Sequence, residues 1–474
     1  MFVTFAALKR KKFTLEKVLV TGYASEGKAL AKVDGKVIFI EGAVPGDTVD
    51  VFVSTNKKDW GEGRVTKIHE PSKERVQPFC RHFGTCGGCK WQMLPYEKQL
   101  EYKQQEAEQN FKRIGKVDLP PLMPIVGSNA IKYYRNKLEF TFSNKRYLSK
   151  EEVEQAGEIK QENALGFHVP RIFDKIIDIH ECFLMDDVNN QIRNSIREFV
   201  KENNYSFYDI KQHTGWLRNI IIRHCTTGEL MVNVCLGYED ETERKKLLDF
   251  ILATAPSITT LLYTINPKWN DSIYDLEPQV YFGKGYAIEQ LENFKFKIGP
   301  KSFFQTNTRQ GEKLYQITRD FAGLTGNEIV YDLYCGTGSI GIFVSSKAKK
   351  IIGVETVAEA IEDAKENAAL NNISHAEFFA GDVIKICDDN FFAAHGKPDI
   401  VITDPPRAGM HTTLVEKLLE IASPKIVYVS CNPATQARDL ALLDAKYSVE
   451  KIQPVDMFPH THHIECVVLL KLRN

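Results

Sequence analysis

Short apolar runs separated by glycines occupy the chain from about residue 14 to residue 72. Within these runs apolar and polar positions tend to alternate, which is typical of strands that bury one face. The runs span residues 18–20, 29–33, 36–40, 48–53 and 63–68. Five short strands in about sixty residues predict a small β-barrel of the OB type.

The rest of the chain shows two further patterns. Residues 131–300 mix polar helical segments with β-rich runs at 137–142, 217–223, 230–235 and 260–265, which predicts an α+β domain. From about residue 301 to residue 474, strand-like runs alternate with helical segments. This alternation predicts an α/β fold with a doubly wound parallel sheet, whose ligands bind beyond the carboxyl ends of the strands.

Composition sets limits on this picture. A chain of 474 residues is too long for one core, so about two to four domains are expected. The formal net charge is −1, whereas residues 1–75 carry 14 Lys and Arg against 10 Asp and Glu. This local excess favours a nucleic-acid-facing N-terminal module only weakly, and an ordinary solvated face explains it equally well.

The distribution of apolar residues predicts a cytoplasmic protein with no membrane partner. No run is long enough to span a bilayer. The apolar residues 1–8 precede the basic residues 9–12, which reverses the order found in a signal peptide. In a reducing compartment the ten cysteines are expected to be thiols, metal ligands or a nucleophile rather than disulfides.

A glycine-rich loop follows a strand near the start of the C-terminal region. The run from Asp332 to Gly341 has glycines where the backbone must turn tightly and approach a ligand closely. Glu355 follows at a second strand end, about 20 residues on, where it can bind ribose hydroxyls. Asp382, at a third strand end, can contact an adenine amino group. The series resembles S-adenosylmethionine-dependent methyltransferases; the alternative, a dinucleotide site, is disfavoured by the D-x-x-x-G-x-G spacing.

The methyl acceptor is indicated by two further motifs. Asp404-Pro405-Pro406-Arg407 resembles the D-P-P-aromatic motif of amino-group methyltransferases, but Arg407 replaces the aromatic residue that stacks on a flipped base. An N6 or N4 amino-group methyltransferase is therefore the second candidate. Cytosine-5 RNA methyltransferases carry two motif cysteines, of which this chain has one, Cys431 in Ser430-Cys431-Asn432-Pro433.

A single cysteine suits methylation of carbon 5 of uracil. That carbon becomes nucleophilic when a thiolate adds to carbon 6, and a base must later remove the carbon-5 proton. Cys431 precedes a predicted helix, whose dipole favours a thiolate; a buried structural cysteine is the alternative. Glu465, just before the apolar run 466–470, is the candidate base. The nearby histidines could form a metal site, but no matching Cys or Asp spacing supports one.

A cysteine cluster lies between the first two predicted domains. Cys80, Cys86 and Cys89 are close in sequence, and Cys182 is the expected fourth member. Four thiolates satisfy either a tetrahedral zinc ion or an iron–sulfur cube, and the spacing does not separate the two. Cys225 and Cys235 remain alternatives to Cys182.

These residues together resemble the RNA uracil-5 methyltransferase family, and most closely its RumA-type branch, which acts on large-subunit ribosomal RNA. The resemblance covers nearly the whole chain and includes residues 303–307, which match an F-x-Q-x-N motif. It implies that Cys431 is the nucleophile and Glu465 the general base. The cofactor-contacting residues that it implies are Gln305, Tyr334, Ser339, Glu355, Asp382 and Asp404.

The same resemblance implies the cofactors and partners. It implies S-adenosylmethionine as methyl donor, a [4Fe-4S] cluster on Cys80, Cys86, Cys89 and Cys182, and a specific uridine of 23S ribosomal RNA as substrate. A tRNA substrate stays open, and a monomer is expected. A non-catalytic RNA-binding protein is a further alternative, which the intact cofactor, cysteine and glutamate positions disfavour.

The resemblance also implies a domain organisation. The N-terminal barrel is similar to a TRAM domain, and the helix near residues 95–128 is expected to pack with the catalytic domain, which makes the middle domain discontinuous. The expected parts are an N-terminal extension (1–13), a TRAM RNA-binding domain (14–72), a middle domain with the iron–sulfur site (73–94 and 129–300) and a Rossmann-like catalytic domain (95–128 and 301–474).

Overall fold

Three large sheets and one hairpin carry the fold of residues 12–155 and 162–473, which are the residues that the computed structural model describes. Residues 1–11 of the expected N-terminal extension lie outside these ranges. Among the helices of the described ranges, none is long and apolar enough to cross a membrane.

The N-terminal region is a six-stranded sheet. Its strands are β1 (Phe13–Leu19), β2 (Gly22–Tyr23), β3 (Ala29–Val33), β4 (Lys36–Glu41), β5 (Thr48–Asn56) and β6 (Trp60–Glu70). They are ordered β1-β5-β6-β4-β3-β2, and alternate residues are buried, as in the core-facing Val49, Val51 and Val53 of β5. The apolar pattern predicted five of these strands and missed β2, because two residues are too few to show a period.

A connecting segment with one long helix follows the barrel. Helix α1 (Tyr96–Asn110) continues into a π-helical turn at Phe111–Gly115. The chain then enters the middle region.

The middle region is a seven-stranded sheet covered by helices. Its elements are β7 (Lys137–Ser143), α2 (Lys150–Gln155), β8 (Ala164–Val169), β9 (Ile172–Asp178), α3 (Val188–Glu202), β10 (Leu217–His224), β11 (Leu230–Leu236), α4 (Glu241–Thr254), β12 (Thr260–Ile265) and β13 (Gln279–Gly283). The order is β13-β12-β11-β10-β7-β8-β9, and β11 pairs with β12 in parallel while the other neighbours are antiparallel. The hairpin of β14 (Ala287–Leu291) and β15 (Phe294–Ile298) leads out of it.

The C-terminal region is the predicted α/β domain. Its elements are α5 (Thr308–Ala322), β16 (Ile329–Leu333), α6 (Ser339–Val344), β17 (Lys350–Glu355), α7 (Ala358–Leu370), β18 (Ala376–Ala380), α8 (Val383–Ile386), α9 (Asp389–His395), β19 (Ile400–Thr403), α10 (Thr412–Ile421), β20 (Lys425–Ser430), α11 (Pro433–Leu443), β21 (Tyr447–Val455) and β22 (Glu465–Leu472). The order is β18-β17-β16-β19-β20-β22-β21. Strands β16 to β20 are parallel, and β22 runs against both of its neighbours. The strand order reverses between β16 and β19, which is where ligands bind in such sheets.

The connecting segment packs on the C-terminal region. The amide N–H of Met123 donates to the carbonyl of Ile452 at 2.9 Å, and Val126 forms a parallel bridge with Val455. Phe111 is fully buried in the same core as Ala437 of α11. The domain boundaries stay predictions, but these contacts are those expected if the segment belongs to the catalytic domain.

Candidate active site

The carboxyl ends of four parallel strands bring four of the proposed cofactor residues to one edge of the C-terminal sheet. Tyr334 follows β16, Glu355 ends β17, Asp382 lies two residues after β18 and Asp404 follows β19. Burial raises the pKa of Tyr334, and the carboxylates of Asp382 and Glu355 raise it further, so these two acids lie near its phenol. The edge has the arrangement that the strand-end motifs predicted.

The glycine-rich loop leaves open space beside this edge. The carboxylate of Glu355 accepts a hydrogen bond from the amide N–H of Gly336 at 3.3 Å, which ties the loop to the end of β17. Gly336 has a φ of +53°, and a methyl group there would meet nothing within 4 Å. At Gly338 a methyl group would lie 3.0 Å from the ring of Phe378. The loop therefore packs on protein at Gly338 and faces free space at Gly336, which fits a cofactor that lies against the backbone.

Of the other two proposed cofactor residues, one lies at the start of a helix and one in the loop before a helix. Ser339 is the first residue of α6, and its hydroxyl lies 3.0 Å from the hydroxyl of Tyr315 in α5. Gln305 precedes α5, where its backbone carbonyl accepts a hydrogen bond from the Asn136 side chain at 3.0 Å. Asn136 comes just before β7, so the middle region holds the loop that carries Gln305.

Two carboxyl groups next to the glycine-rich loop have raised pKa values. Burial raises the pKa of Asp404 to about 7. Burial also raises the pKa of Asp332 to about 7, and the charges of Asp404 and Glu355 add to the effect. Oδ2 of Asp332 accepts a hydrogen bond from the amide of Gly341 at 2.8 Å, while its buried Oδ1 has no partner among the described residues. A cationic ligand would stabilise both carboxylates.

Asp332 is a site residue that the sequence analysis did not single out. Its position as the first residue of the D-x-x-x-G-x-G run was the available signal. Its fully buried side chain could not be foreseen, because it depends on the packing of α6 against β16.

Cys431 and Glu465 meet at the same edge through strand pairing. Strands β20 and β22 are antiparallel, and Ser430 pairs with Cys466. Cys431 is the next residue after Ser430, and Glu465 is the residue before Cys466, so the two lie side by side. The negative charge of Glu465 raises the pKa of Cys431, which reflects this proximity.

The pKa values of both reactive groups are raised in the free protein. Burial raises the pKa of Cys431 to about 11, and the carboxylates of Glu465 and Asp404 contribute to the rise. Burial also raises the pKa of Glu465 well above its usual value, with Asp404 adding to the effect. Burial and these carboxylates oppose the thiolate, so the expected stabilising effect of the start of α11 stays a prediction. Asn432 rather than Cys431 caps that helix, its side chain accepting from the amide of Ala434 at 3.1 Å.

Arg407 is the one basic residue whose charge opposes these shifts at both groups in the described structure. Its guanidinium lowers the pKa of Cys431 and that of Glu465. Its backbone carbonyl accepts hydrogen bonds from the side chains of Asn432 at 3.2 Å and Thr435 at 3.4 Å. The sequence analysis treated Arg407 only as a departure from an aromatic motif, although that departure was the signal for its role.

The four predicted metal ligands line one small cavity beside the middle sheet. Cys80, Cys86, Cys89 and Cys182 share a cavity of about 30 Å³. Burial raises the pKa of Cys86 to about 11 and that of Cys89 to about 12. Cys182 belongs to this set, whereas Cys225 and Cys235 lie in two separate core clusters.

The metal site itself is not confirmed. Within residues 12–155 and 162–473, no group of three or more His, Cys, Asp or Glu side chains is arranged to hold a metal ion. This applies to the four cysteines and to the histidines before Glu465. Burial lowers the pKa of His460 to about 4 and that of His462 to about 3, so both are neutral near pH 7.

Comparisons with known proteins identify related sequences. The sequence profile of the family described as tRNA (Uracil-5-)-methyltransferase matches residues 277–473, and that of the TRAM domain matches residues 9–66. An uncharacterized RNA methyltransferase of Bacteroides thetaiotaomicron is 54% identical over 95% of this chain and 100% of its own. Another, from Porphyromonas gingivalis, is 51% identical over 96% of this chain and 99% of its own.

A solved structure with the same overall fold is also known. The crystal structure of Pyrococcus abyssi tRNA (uracil-54, C5)-methyltransferase in complex with S-adenosyl-L-homocysteine is similar to this chain with a TM-score of 0.74. The two are 28% identical, and the match covers 96% of this chain and 100% of that one.

Proposed function

We propose that this chain, which belongs to the RNA uracil-5 methyltransferase family, methylates carbon 5 of a specific uridine in 23S ribosomal RNA. One observation carries the proposal: Cys431 and Glu465 lie side by side at the sheet edge that also holds the glycine-rich loop. A nucleophile, a base and a methyl donor are the groups that the chemistry at carbon 5 requires.

Cys431 acts as the nucleophile in this proposal. Its thiol loses a proton to solvent, Sγ forms a bond with carbon 6, and the electrons of the C5–C6 double bond move toward the C4 carbonyl oxygen to give an enolate. S-adenosylmethionine supplies an electrophilic methyl group, which carbon 5 takes up as S-adenosylhomocysteine leaves. Because the pKa of Cys431 is about 11 in the free protein, the thiolate must form as substrate binds. The guanidinium of Arg407 is the charge placed to stabilise it.

Glu465 acts as the base that ends the reaction. After methyl transfer, carbon 5 carries both a proton and the new methyl group. Glu465 takes the proton, the C5–C6 double bond forms again, and the S–C6 bond breaks to release the Cys431 thiolate and 5-methyluridine. Burial raises the pKa of Glu465, so its carboxylate is a stronger base than an exposed one once Arg407 helps to ionise it.

The strand-end residues hold the methyl donor. In this proposal Glu355 binds the ribose hydroxyls and Asp382 the adenine amino group, as acids at these strand ends do in similar sheets. Asp404 and the buried Asp332 offer carboxylates of raised pKa to a cationic ligand. The remaining contacts to the cofactor come from Gln305, Tyr334 and Ser339.

The four cysteines that line one cavity are proposed to hold a [4Fe-4S] cluster. Four thiolates can satisfy either a single zinc ion or the iron atoms of a cube, and their spacing in the sequence does not separate the two. A cube presents iron atoms at four separate corners, so its ligands surround a volume instead of a point. All four cysteines line one shared cavity, and the resemblance to the RumA-type branch favours the cluster over zinc.

A ribosomal substrate is favoured by the resemblance of the four-cysteine site to that of the RumA-type branch. The second candidate is a tRNA uridine, which the similarity to the Pyrococcus abyssi tRNA (uracil-54, C5)-methyltransferase favours. The N-terminal TRAM domain is proposed to bind the RNA backbone. An enzyme that modifies ribosomal RNA acts where ribosomes are made, so a cytoplasmic location is proposed as well, together with action as a monomer.

Mapping of the methyl group tests the proposal. Total RNA from a strain that lacks this protein would be incubated with the purified protein and S-adenosylmethionine that carries a radioactive methyl group. Label is expected at one uridine of 23S ribosomal RNA, as 5-methyluridine after digestion to nucleosides. Label confined to tRNA would replace the substrate with the second candidate, and N-methylated nucleosides would overturn the uracil chemistry.

A further inference from the structure

A loop of the N-terminal barrel touches the segment that leads into Glu465. The loop consists of residues 24–28, between β2 and β3, and we refer to it as the barrel loop. Its Gly27 lies against the side chains of Trp91 and His462. A methyl group on Gly27 would lie 2.9 Å from Cβ of His462 and 3.2 Å from Nε1 of Trp91, and real Cβ atoms essentially never approach another atom to within 3.0 Å. Only glycine therefore fits without a shift.

The barrel loop is fixed to the rest of the barrel. The amide N–H of Ala24 donates to the carbonyl of Lys28 at 2.8 Å, which closes the loop on itself. The ammonium of Lys28 lies 2.9 Å from a carboxylate oxygen of Glu62 in β6 and 3.2 Å from one of Glu26. The loop is thus part of the barrel framework, and its position follows that of the strands.

The other side of the contact is fixed to α1 and to the C-terminal region. The indole N–H of the fully buried Trp91 donates to the carbonyl of Gly27 at 3.3 Å. The backbone N–H of Trp91 donates to the carbonyl of His460 at 3.1 Å, and that of Lys90 donates to the same oxygen at 2.8 Å. The amide of His460 donates to Oε1 of Gln99 in α1 at 2.8 Å. The backbone of His460 is therefore hydrogen-bonded both to residues 90–91 and to helix α1.

Between His460 and Glu465, Thr461 anchors the chain through its amide and its hydroxyl, which donate to the carbonyl of Phe458 at 3.2 and 2.7 Å. The amide of His463 donates to the hydroxyl of Thr461 at 3.3 Å. The rings of His462 and His463 lie 4.2 Å apart at an interplanar angle of 36°. Nδ1 of His462 is buried without a hydrogen-bond partner among the described residues, and Cβ of the same side chain lies against Gly27. Three residues later, Glu465 begins β22.

We propose that the barrel loop, through the contact of Gly27 with His462, positions the carboxylate of Glu465 for the final proton abstraction. Gly27 is then a positioning residue, and the barrel takes part in the last chemical step in addition to its proposed role in RNA binding. The inference rests on the proposed role of Glu465 as the base. Its consequence is specific, because a misplaced base slows release of the product and leaves the covalent bond to Cys431 in place.

The chain offers a matched pair of substitutions for the test. Gly27→Ala and Gly35→Ala both place a methyl group on a barrel glycine in the left-handed region, with φ values of +70° and +77°. A methyl group at Gly35 meets nothing within 4 Å, so it carries the same backbone strain without the contact. Trp91→Phe leaves Gly27 unchanged, because it keeps an aromatic ring at position 91 and removes the indole donor to Gly27 together with part of the buried ring system.

The measurement is the amount of covalent protein–RNA complex that survives denaturing electrophoresis and carries the transferred methyl group. With the full-length proteins, a transcript of the target RNA and S-adenosylmethionine, Gly27→Ala is expected to accumulate this complex and to turn over about 10- to 100-fold more slowly. Gly35→Ala is expected to behave like the wild type. Trp91→Phe is expected to accumulate an intermediate amount. Thermal unfolding shows whether each variant is folded. If Gly27→Ala does not fold, the amount of covalent complex formed by Trp91→Phe becomes the test of the proposal.

Glu465→Gln is run alongside to separate the two proposals. If Glu465→Gln accumulates the complex and Gly27→Ala does not, the positioning role is wrong and the proposed base stands. Slow turnover of both glycine variants with no complex would show that strain in the barrel, and not the contact with His462, causes the loss. If Glu465→Gln itself accumulates nothing, the assignment of the base fails, and this inference fails with it.

Discussion

The ammonium of Lys103 lies 2.7 Å from Oδ1 of Asp456, and both side chains are fully buried. The two residues are 353 positions apart in the sequence. Asp456 also accepts from the hydroxyl of Tyr96 at 2.8 Å and from the amide of Phe458 at 3.0 Å. The pair therefore joins α1 to the start of the segment that carries His460 and Glu465.

Breaking this pair is expected to destabilise the protein strongly. Lys103→Met removes the cation and leaves the Asp456 carboxylate buried without a compensating positive charge, which costs about 3–5 kcal/mol in the free energy of unfolding. The double variant Lys103→Met with Asp456→Asn removes both charges and should recover much of that loss. Chemical denaturation measures both. Lys98→Met, on the same helix but partly exposed, is the control, and equal stability of Lys103→Met and wild type would contradict the argument.

The four-cysteine cavity gives a prediction about iron. Protein purified without oxygen is expected to be brown and to contain about four iron atoms and four sulfides per chain, as a cubane requires. Cys182→Ala should lose most of this iron, because it removes one of the four thiols that line the cavity. Cys225→Ala removes a buried thiol from a different core cluster and should retain it. Stoichiometric zinc without sulfide would show that the cluster is wrongly assigned.

The barrel gives a prediction about salt dependence. Lys57 and Lys58 are exposed in the turn between β5 and β6, where they can contact RNA phosphates. If both do, changing them to Gln should weaken RNA binding and reduce the slope of log affinity against log salt by about 1.4 to 1.8. The matched control changes Lys245 and Lys246, an exposed pair on α4, and should leave the slope unchanged. A slope that is the same in all three proteins would exclude this turn from the RNA interface.

Much of the site could be predicted because its residues stand at strand ends. Acids and glycines that directly follow apolar runs mark the carboxyl edge of a parallel sheet, and this placed Glu355 and Asp404 correctly. The side-by-side position of Cys431 and Glu465 was harder to predict from the sequence, because it depends on the antiparallel pairing of β22 with β20. Local sequence does not specify that pairing.

The omissions arise from tertiary burial. No sequence signal indicated that burial and two neighbouring carboxylates raise the pKa of Cys431. Lys103 lies in a polar helix and gives no sequence signal of full burial. Gly27 was visible only as one of several glycines between strands, since its contact with His462 joins two distant parts of the chain. In each case the decisive neighbour is far away in sequence.

Arg407 gives a prediction about pH dependence. Its charge lowers the pKa of Cys431, so Arg407→Gln should raise that pKa and reduce the thiolate fraction at any pH below it. Each unit of pKa changes the thiolate fraction about tenfold, and we expect a fall of roughly 3- to 30-fold in kcat/KM at pH 7.5. Because the pKa of Cys431 is about 11, kcat/KM should rise with pH from 7 to 9 in both proteins. Arg407→Lys should restore most of the rate, and RNA affinity measured separately shows whether binding has changed.

The roles of Cys431 and Glu465 can be distinguished by the reaction step that each substitution blocks. Cys431→Ala cannot form the bond to carbon 6, so it should bind RNA and cofactor but give neither product nor covalent complex. Glu465→Gln keeps the size and hydrogen-bonding capacity of the side chain but cannot accept the carbon-5 proton. It should therefore accumulate a covalent protein–RNA complex that contains the transferred methyl group.

The double variant completes this test. Cys431→Ala combined with Glu465→Gln should form no complex, because the bond that holds RNA to the Glu465→Gln protein is the thioether of Cys431. Denaturing electrophoresis is run once with end-labelled RNA and once with a labelled methyl donor. The first label reports every covalent adduct, and the second reports only the methylated adduct. Normal turnover by Glu465→Gln, or a stable complex with Cys431→Ala, would mean that another residue performs the step. An unmethylated adduct in Glu465→Gln would place this carboxyl before methyl transfer instead of after it.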